Sequence, residues 1–185
     1  MKIFVVTADI ELTKKPAWLD DFRRRYDDDY PYHVTLKLPC YIEDHQAADI
    51  KNKLDSLFST LKITDHSITL EFNKLHLGPN APGGGCIMID AAKGGEIDKL
   101  QSKIVSALSE YRNYYEIAYG KYEKEFQPHI TIARNLDEPT YSKAAAELKQ
   151  DYQCTGKVNK IIFTVVTNFD PEEAKDPKNQ IIYKL

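Results

Sequence analysis

The spacing of hydrophobic residues changes several times along this chain, and each change separates one predicted element from the next. Before residue 78, three stretches are continuously apolar or alternate with polar residues, as buried or half-buried strands do. Two stretches between them have apolar residues every three or four positions, which is typical of amphipathic helices. The predicted elements are a strand over residues 2–10, a short helix carrying Leu19, Phe22 and Tyr26, a strand over 33–38, a helix over 44–61 and a strand over 67–77.

The same order of elements returns after a turn-forming segment at residues 78–85, which is rich in glycine and proline. Residues 112–126 look like an insertion in this second set, residues 170–179 resemble a loop, and residues 180–185 predict an edge strand. The second set consists of a strand over 86–91, a helix carrying Ile97, Leu100, Ile104 and Leu108, a strand over 128–133, a helix carrying Tyr141, Ala145 and Leu148 with Thr140 as its N-cap, and a strand over 158–167.

The repeated order of strand, helix, strand, helix and strand indicates an internal duplication. Its two sequence units are residues 1–77 and 86–168, within a single domain that spans residues 1–185. Two similar units related by an approximate two-fold axis form two lobes, and equivalent strands then face each other. We therefore predict an α+β fold with two pseudo-symmetric lobes around a central cleft.

The middle strand of each unit carries the same short pattern of histidine, aliphatic residue, threonine and aliphatic residue. The two strings read PYHVTLKLP from residue 31 and QPHITIARN from residue 127. Side chains alternate between the two faces of a strand, so His33 and Thr35 share one face, and His129 and Thr131 share the equivalent face. The aliphatic residues between them point to the core.

Two imidazoles suit the cleavage of a phosphate ester. A neutral histidine takes a proton from water while a protonated one gives a proton to the leaving oxygen, and a pKa near 6.5 allows both states close to neutral pH. The hydroxyl groups of Thr35 and Thr131 are placed to bind the non-bridging oxygens, where negative charge grows. This chemistry requires no metal ion and no cofactor. A single His-x-Thr pattern is equally compatible with a packed cross-strand histidine, but two in equivalent positions favour a site.

Composition narrows the class of partner. The chain has a net charge of −3, with 42% hydrophobic and 29% charged residues, which is typical of a globular protein. This charge argues against a protein that coats nucleic acids, because such binding needs many lysines and arginines. The cysteines Cys40, Cys86 and Cys154 lie too far apart for a Cys-x-x-Cys pair and are expected to be reduced, buried thiols. With no apolar stretch of membrane-spanning length, we expect a cytoplasmic protein.

The paired motifs resemble those of the 2H phosphoesterase superfamily, which includes the 2′-5′ RNA ligase-like cyclic phosphodiesterases. The string PHITIAR is especially similar to the second motif of that family. The first motif departs from the usual pattern, because Tyr32 separates Pro31 from His33 and Lys37-Leu38-Pro39 replaces a Phe-Leu-Gly ending. The resemblance implies two antiparallel-sheet lobes with outer helices around the cleft. It further implies hydrolysis of 2′,3′-cyclic phosphates or 2′-5′ linkages of an RNA end or a small nucleotide, by a chain that we expect to act as a monomer.

Two basic residues are candidate phosphate ligands. Strict alternation puts Lys37 on the face of His33 and Thr35, although a solvated lysine at a strand edge fits the pattern equally well. Arg134 matches an arginine in the second motif of the resembling family. By strict alternation it lies opposite His129, so only a bulge or the end of the strand would turn it toward the site.

The sequence is compatible with several further interpretations. The tyrosine-rich residues 111–126 either pack the second lobe, which we favour, or stack on bases at the mouth of the cleft. The same four His and Thr residues also suit a hydrolase of cyclic or 2′-5′ signalling oligonucleotides. A module that binds a nucleotide or an RNA end without turnover is the alternative outside the enzyme class, and a structural duplicated domain is a third.

Overall fold

The computed structural model describes residues 1–27, 30–61, 68–78, 85–149, 151–168 and 170–185. Within these ranges the chain forms seven strands, six α-helices and one 3-10 turn at Pro177–Asn179. The strands are β1 Lys2–Lys14, β2 His33–Ile42, β3 Thr69–Leu77, β4 Gly85–Ala91, β5 His129–Leu136, β6 Cys154–Val166 and β7 Gln180–Lys184. The helices are α1 Leu19–Tyr26, α2 Gln46–Thr60, α3 Glu96–Ala107, α4 Tyr119–Lys124, α5 Glu138–Glu147 and α6 Pro171–Lys175.

The predicted order of elements and the α+β class are confirmed, with differences at the ends of elements. The N-cap of α5 is Asp137 rather than Thr140, since the Asp137 carboxylate accepts a hydrogen bond from the Thr140 backbone N–H at 2.9 Å. The predicted insertion contains the short helix α4, and the tail expected to be a loop contains α6 and the 3-10 turn. Residues 79–84 of the predicted turn segment lie outside the described part of the chain.

All the strand pairs are antiparallel and form one sheet in the order β2-β1-β6-β3-β4-β5, with β7 added beside β6. The first and second strands of each sequence unit pair with each other. The third strands, β3 and β6, pair with each other and also with the first strand of the opposite unit. From either end of the sheet, the order is therefore the second strand of one unit, the first strand of that unit and the third strand of the other unit.

The two outermost strands of this path, β2 and β5, contact each other. The sheet therefore curls until its ends meet, as a strongly twisted sheet of many strands tends to do. The consequence is that the two strands bearing the His-x-Thr patterns, which lie 96 residues apart in the chain, become neighbours.

Helices α1 and α3 pack on the sheet and cross between the units. Helix α1 packs on β5 of the second unit, and α3 packs on β2 of the first. Leu19 and Phe22 of α1 are buried completely, and each stabilises the fold by about 2 kcal/mol. Between the sheet and the helices, the Phe4 ring meets Tyr111 and Phe163 edge to face, at centroid distances of 5.9 and 6.1 Å. The core thus holds the two units together.

Two findings concern the wider class of the protein. Among the helices of the described ranges, none has the length and apolar character needed to cross a lipid bilayer. Cys40 and Cys154 are buried and Cys86 is half-buried, and all three are free thiols.

Candidate active site

The two candidate histidines occupy equivalent positions, because His33 is the first residue of β2 and His129 is the first residue of β5. Each strand alternates as predicted over its first four residues. His33 and Thr35 are half-buried, as are His129 and Thr131. The aliphatic residues between and after them are buried in the core; they are Val34, Leu36, Ile130 and Ile132.

Each imidazole ring is held by a backbone carbonyl two residues before it. The Nδ1 atom of His33 lies 2.9 Å from the Pro31 oxygen, and that of His129 lies 2.8 Å from the Gln127 oxygen. A carbonyl oxygen only accepts hydrogen bonds, so Nδ1 of each ring carries the proton and donates it. Nε2 is therefore the atom of each ring that gains or loses a proton, as a general acid or base must.

The charge state of one ring affects the other. A positive charge on His129 lowers the pKa of His33. Burial is the main cause that lowers the pKa of both histidines, and for His33 it lowers the pKa to about 4. Both rings are thus held largely neutral at pH 7 in the free protein.

Each of the two strands contains a bulge directly after its threonine. On β5, Thr131 pairs with Met88 and Ala133 pairs with Ile87, so Ile132 is an extra residue. Ile132 and Ala133 are both buried, which breaks the alternation. The next residue returns to the side of the sheet that carries the histidines, and that residue is Arg134.

The first strand carries the same bulge at the same place. Thr35 pairs with Thr7 and Lys37 pairs with Val6, which makes Leu36 the extra residue. The prediction that Lys37 shares the face of His33 is therefore wrong, because the bulge turns its side chain into the core. Lys37 is completely buried and corresponds in register to Ala133 of the second unit.

The buried ammonium of Lys37 forms an ion pair with Glu123 of α4. Its Nζ atom lies 2.8 and 2.9 Å from the two carboxylate oxygens of Glu123. The same carboxylate accepts hydrogen bonds from the Tyr114 hydroxyl at 2.7 Å and from the Leu38 backbone N–H at 3.3 Å. This network anchors the insertion to β2, which is a structural role.

Arg134 belongs to a second network, at the end of α1. Its Nε atom donates to Asp27 at 2.7 Å, and Arg23 donates to the other oxygen of that carboxylate at 2.9 and 2.6 Å. Two cations around one carboxylate leave this corner of the site positive. The charge of Arg134 lowers the pKa of His33. The Tyr30 ring contacts both residues. It lies edge-on to the His33 ring at a centroid distance of 5.2 Å, and its centroid lies 5.7 Å from the Arg134 guanidinium.

The tyrosine-rich segment is divided between core and surface. Tyr111 is buried and Tyr114 is half-buried, so both pack as the favoured interpretation expected. Tyr115 and Tyr122 are 40% and 52% exposed, and Ile117 is 99% exposed. A role of these side chains in base stacking stays a prediction.

Two aspartates that the sequence periodicity does not single out lie opposite the histidines. In the strand register Asp9 of β1 pairs with His33, and Asp90 of β4 pairs with His129. Aligning the two units strand by strand would have shown the signal, because an aspartate occupies the same place in the first strand of each. In the described ranges, no group of three His, Cys, Asp or Glu side chains has the geometry to hold a metal ion.

Comparison with known proteins bears on the whole chain. A family model described as the 2′-5′ RNA ligase superfamily matches residues 12–168. A Bacillus licheniformis protein named "Putative phosphoesterase" is 28% identical over 133 residues, which cover 70% of each chain. A Bacillus anthracis protein of the same name is 27% identical over 152 residues, covering 80% of this chain and 78% of the relative. The solved structure of Kluyveromyces marxianus Usb1 shares the fold, with a TM-score of 0.52 at 10% identity over 99% of this chain and 98% of that one.

Proposed function

The chain belongs to the 2′-5′ RNA ligase superfamily of 2H phosphoesterases, and from this premise we propose that it hydrolyses 2′,3′-cyclic phosphate ends or 2′-5′ linkages of RNA or nucleotides. The observation that carries the proposal is the matched pair of histidines. Each histidine has its Nδ1 atom held by a backbone carbonyl. The two histidines lie on β2 and β5, which contact each other although they are the two outermost strands of the sheet. One phosphate group between two such rings meets an acid and a base at once.

The proposed reaction needs one proton acceptor and one proton donor. A neutral Nε2 takes a proton from water as the water oxygen forms its bond to phosphorus. The bond from phosphorus to the 2′ or 3′ oxygen breaks, and the second imidazolium gives its proton to that oxygen. The products are a phosphate monoester and a free hydroxyl group, and the exchange of protons with solvent restores both rings.

Charge on the phosphoryl oxygens requires its own donors. The hydroxyls of Thr35 and Thr131 lie on the same faces as the histidines and are proposed to donate to the non-bridging oxygens. Arg134, rather than Lys37, is proposed as the cation for the phosphate, because Lys37 is buried against Glu123. We further propose that the halves β2-β1-β6 and β3-β4-β5 form the two walls of one cleft in a single domain.

The proposal is tested with 2′,3′-cyclic nucleotides and with short oligonucleotides that carry cyclic ends, in the presence of EDTA. We expect turnover by the wild type and a loss of at least about 100-fold in kcat for His33→Ala and for His129→Ala, because each removes an acid or a base. His45→Ala, at an exposed position before α2, is the matched control and is expected to retain full activity. Unchanged activity of the two active-site variants would contradict the mechanism, and saturable binding without product would favour the binding module.

A further inference from the structure

The two halves of the site have matching carboxylates in different surroundings. Asp9 lies opposite His33 and Asp90 lies opposite His129 on the neighbouring strands. Residues directly opposite each other in an antiparallel pair project from the same face of the sheet. By residue type alone, each histidine would therefore have an equivalent acidic neighbour.

Asp9 is balanced by a cation. Its carboxylate lies 3.8 Å from the ammonium of Lys160 on β6, and its side chain is 20% exposed. The charged groups that act on His33 are instead Arg134 and His129, which oppose its protonation, and Asp27, which favours it. Since Asp27 is bound by both Arg23 and Arg134, the surroundings of His33 disfavour a second positive charge.

Asp90 is buried and incompletely satisfied. Its side chain is 6% exposed, and one oxygen lies 3.4 Å from Nδ1 of His76 on β3. The other oxygen, Oδ1, has no hydrogen-bond partner among the described residues. A carboxyl group that is shielded from solvent and lacks a full set of donors acts strongly on the groups beside it. The neighbour directly across the strand pair is His129.

The charged groups around His129 can be named element by element. Asp90 of β4 favours its protonated form, and His76 of β3 opposes it. Lys74, which pairs with Asp90 on β3, is exposed, and α5 contacts β4 at its far end, where Tyr141 packs against Gly85. From β2 the facing group is His33, whose pKa is lowered by the charge of His129. From the end of α1, which packs on β5, the charged groups are Arg23 and Asp27, which bind each other. Asp90 is thus the anion that acts on His129.

We propose that Asp90 is a positioning residue that makes His129 the general acid of the reaction and leaves His33 as the general base. The inference rests on the proposed function and assigns its two proton-transfer roles. Nε2 of His33 takes the proton of the attacking water, and Nε2 of His129 gives a proton to the leaving 2′ or 3′ oxygen. The field of Asp90 promotes the return of a proton from solvent to His129 before the next turnover.

The first experiment compares Asp90→Asn with the wild type in two measurements. In the full chain without substrate, NMR titration of the histidine Cε1–H signals should show the pKa of His129 lowered by about 1 pH unit and that of His33 unchanged. In the pH profile of kcat/KM, the alkaline limb should move down by the same amount. At pH values well above that limb, the variant should be about tenfold slower than the wild type. At lower pH, the variant should react at the wild-type rate. Asp9→Asn is the matched control and should move neither histidine.

A second variant gives a shift of opposite sign. Because the charge of His76 opposes protonation of His129, His76→Gln should raise the pKa of His129 and move the alkaline limb upward. The His76 side chain is 47% exposed, so this variant keeps the fold and tests the inference even if Asp90→Asn does not fold.

The outcomes separate the inference from the proposed function. If the wild type hydrolyses no cyclic phosphate, the proposed function fails together with the assigned roles. If it turns over but the alkaline limb and the pKa of His129 stay in place in Asp90→Asn and His76→Gln, only the role of Asp90 is overturned. The role of Asp90 would also be overturned if Asp9→Asn shifted the pKa of His33 as much as Asp90→Asn shifts that of His129, because the two carboxylates would then act alike.

Discussion

Single residues decide how this site handles protons and charge. The carbonyls of Pro31 and Gln127 fix the tautomer of each histidine, so that Nε2 is the nitrogen of both rings that is left to exchange a proton. Beyond this common feature the two rings differ, since Arg134 lowers the pKa of His33 whereas Asp90 favours the protonated form of His129. The two matching histidines therefore have different electrostatic environments.

Arg134 provides a prediction at this scale. Arg134→Met should lower kcat/KM for a cyclic phosphate by about 10- to 100-fold, because a charge-assisted hydrogen bond to the phosphate is lost. The fold should be retained, since Arg23 still holds Asp27 through two hydrogen bonds. Arg24→Met, at a position where the side chain is 76% exposed, is the control and should change kcat/KM little. Equal kinetics of the two variants would remove Arg134 from the site.

The strand is the next scale, and here the bulges have the largest effect. The pairs β1/β2 and β4/β5 carry the same two register shifts, so the same irregularity accompanies both motifs. In each pair the bulge moves two consecutive side chains into the core and reverses the alternation after them. This is why Arg134 lies on the face that carries the histidines whereas Lys37 does not.

The buried pair of Lys37 and Glu123 gives a prediction for the same element. Lys37→Met should lower the free energy of unfolding in urea by about 3 kcal/mol, because Glu123 is left as a buried, uncompensated charge. Lys37→Met combined with Glu123→Gln should recover most of this loss, since the amide still accepts from Tyr114. Lys51→Met breaks an exposed pair on α2 and should cost less than about 0.5 kcal/mol. A weaker affinity for phosphate in Lys37→Met with unchanged stability would instead favour a direct role in binding.

Sequence periodicity anticipated the strands, the helices and the alternation from His33 to Leu36 and from His129 to Ile132, because these depend on local sequence. The bulges depend on pairing with a neighbouring strand, so a strict period of two assigned Lys37 to the wrong face. The ion pair with Glu123, 86 residues away, and the field of Asp90 on His129 likewise depend on tertiary contacts. Spacing along one strand carries no signal for either.

At the scale of the whole molecule, the third strand of each unit pairs with strands of the other unit. β3 pairs with β4 and β6, and β6 pairs with β1 and β3. α1 and α3 cross between the units as well. The centre of the sheet is thus shared by both sequence units, although the chain enters them one after the other.

This sharing predicts the behaviour of separated halves. Residues 1–78 and 85–185, expressed alone, should each fail to fold cooperatively, because each would expose strand edges and core surface that the other covers. Co-expression should give a folded complex with restored turnover, which circular dichroism and the cyclic phosphate assay would detect. A half that unfolds cooperatively by itself would contradict the prediction.

The exchanged third strands also suggest an order of evolutionary events. A half-length ancestor with this pairing would have had to assemble as a symmetric homodimer, in which each copy completed the sheet of the other. Its site would have held two identical histidines with identical aspartates opposite them. Fusion of two copies would remove the constraint of identity and leave the two aspartates free to differ, as they do here, where one faces Lys160 and the other lies buried beside His76. The two histidines would then have taken separate proton-transfer roles only after the fusion.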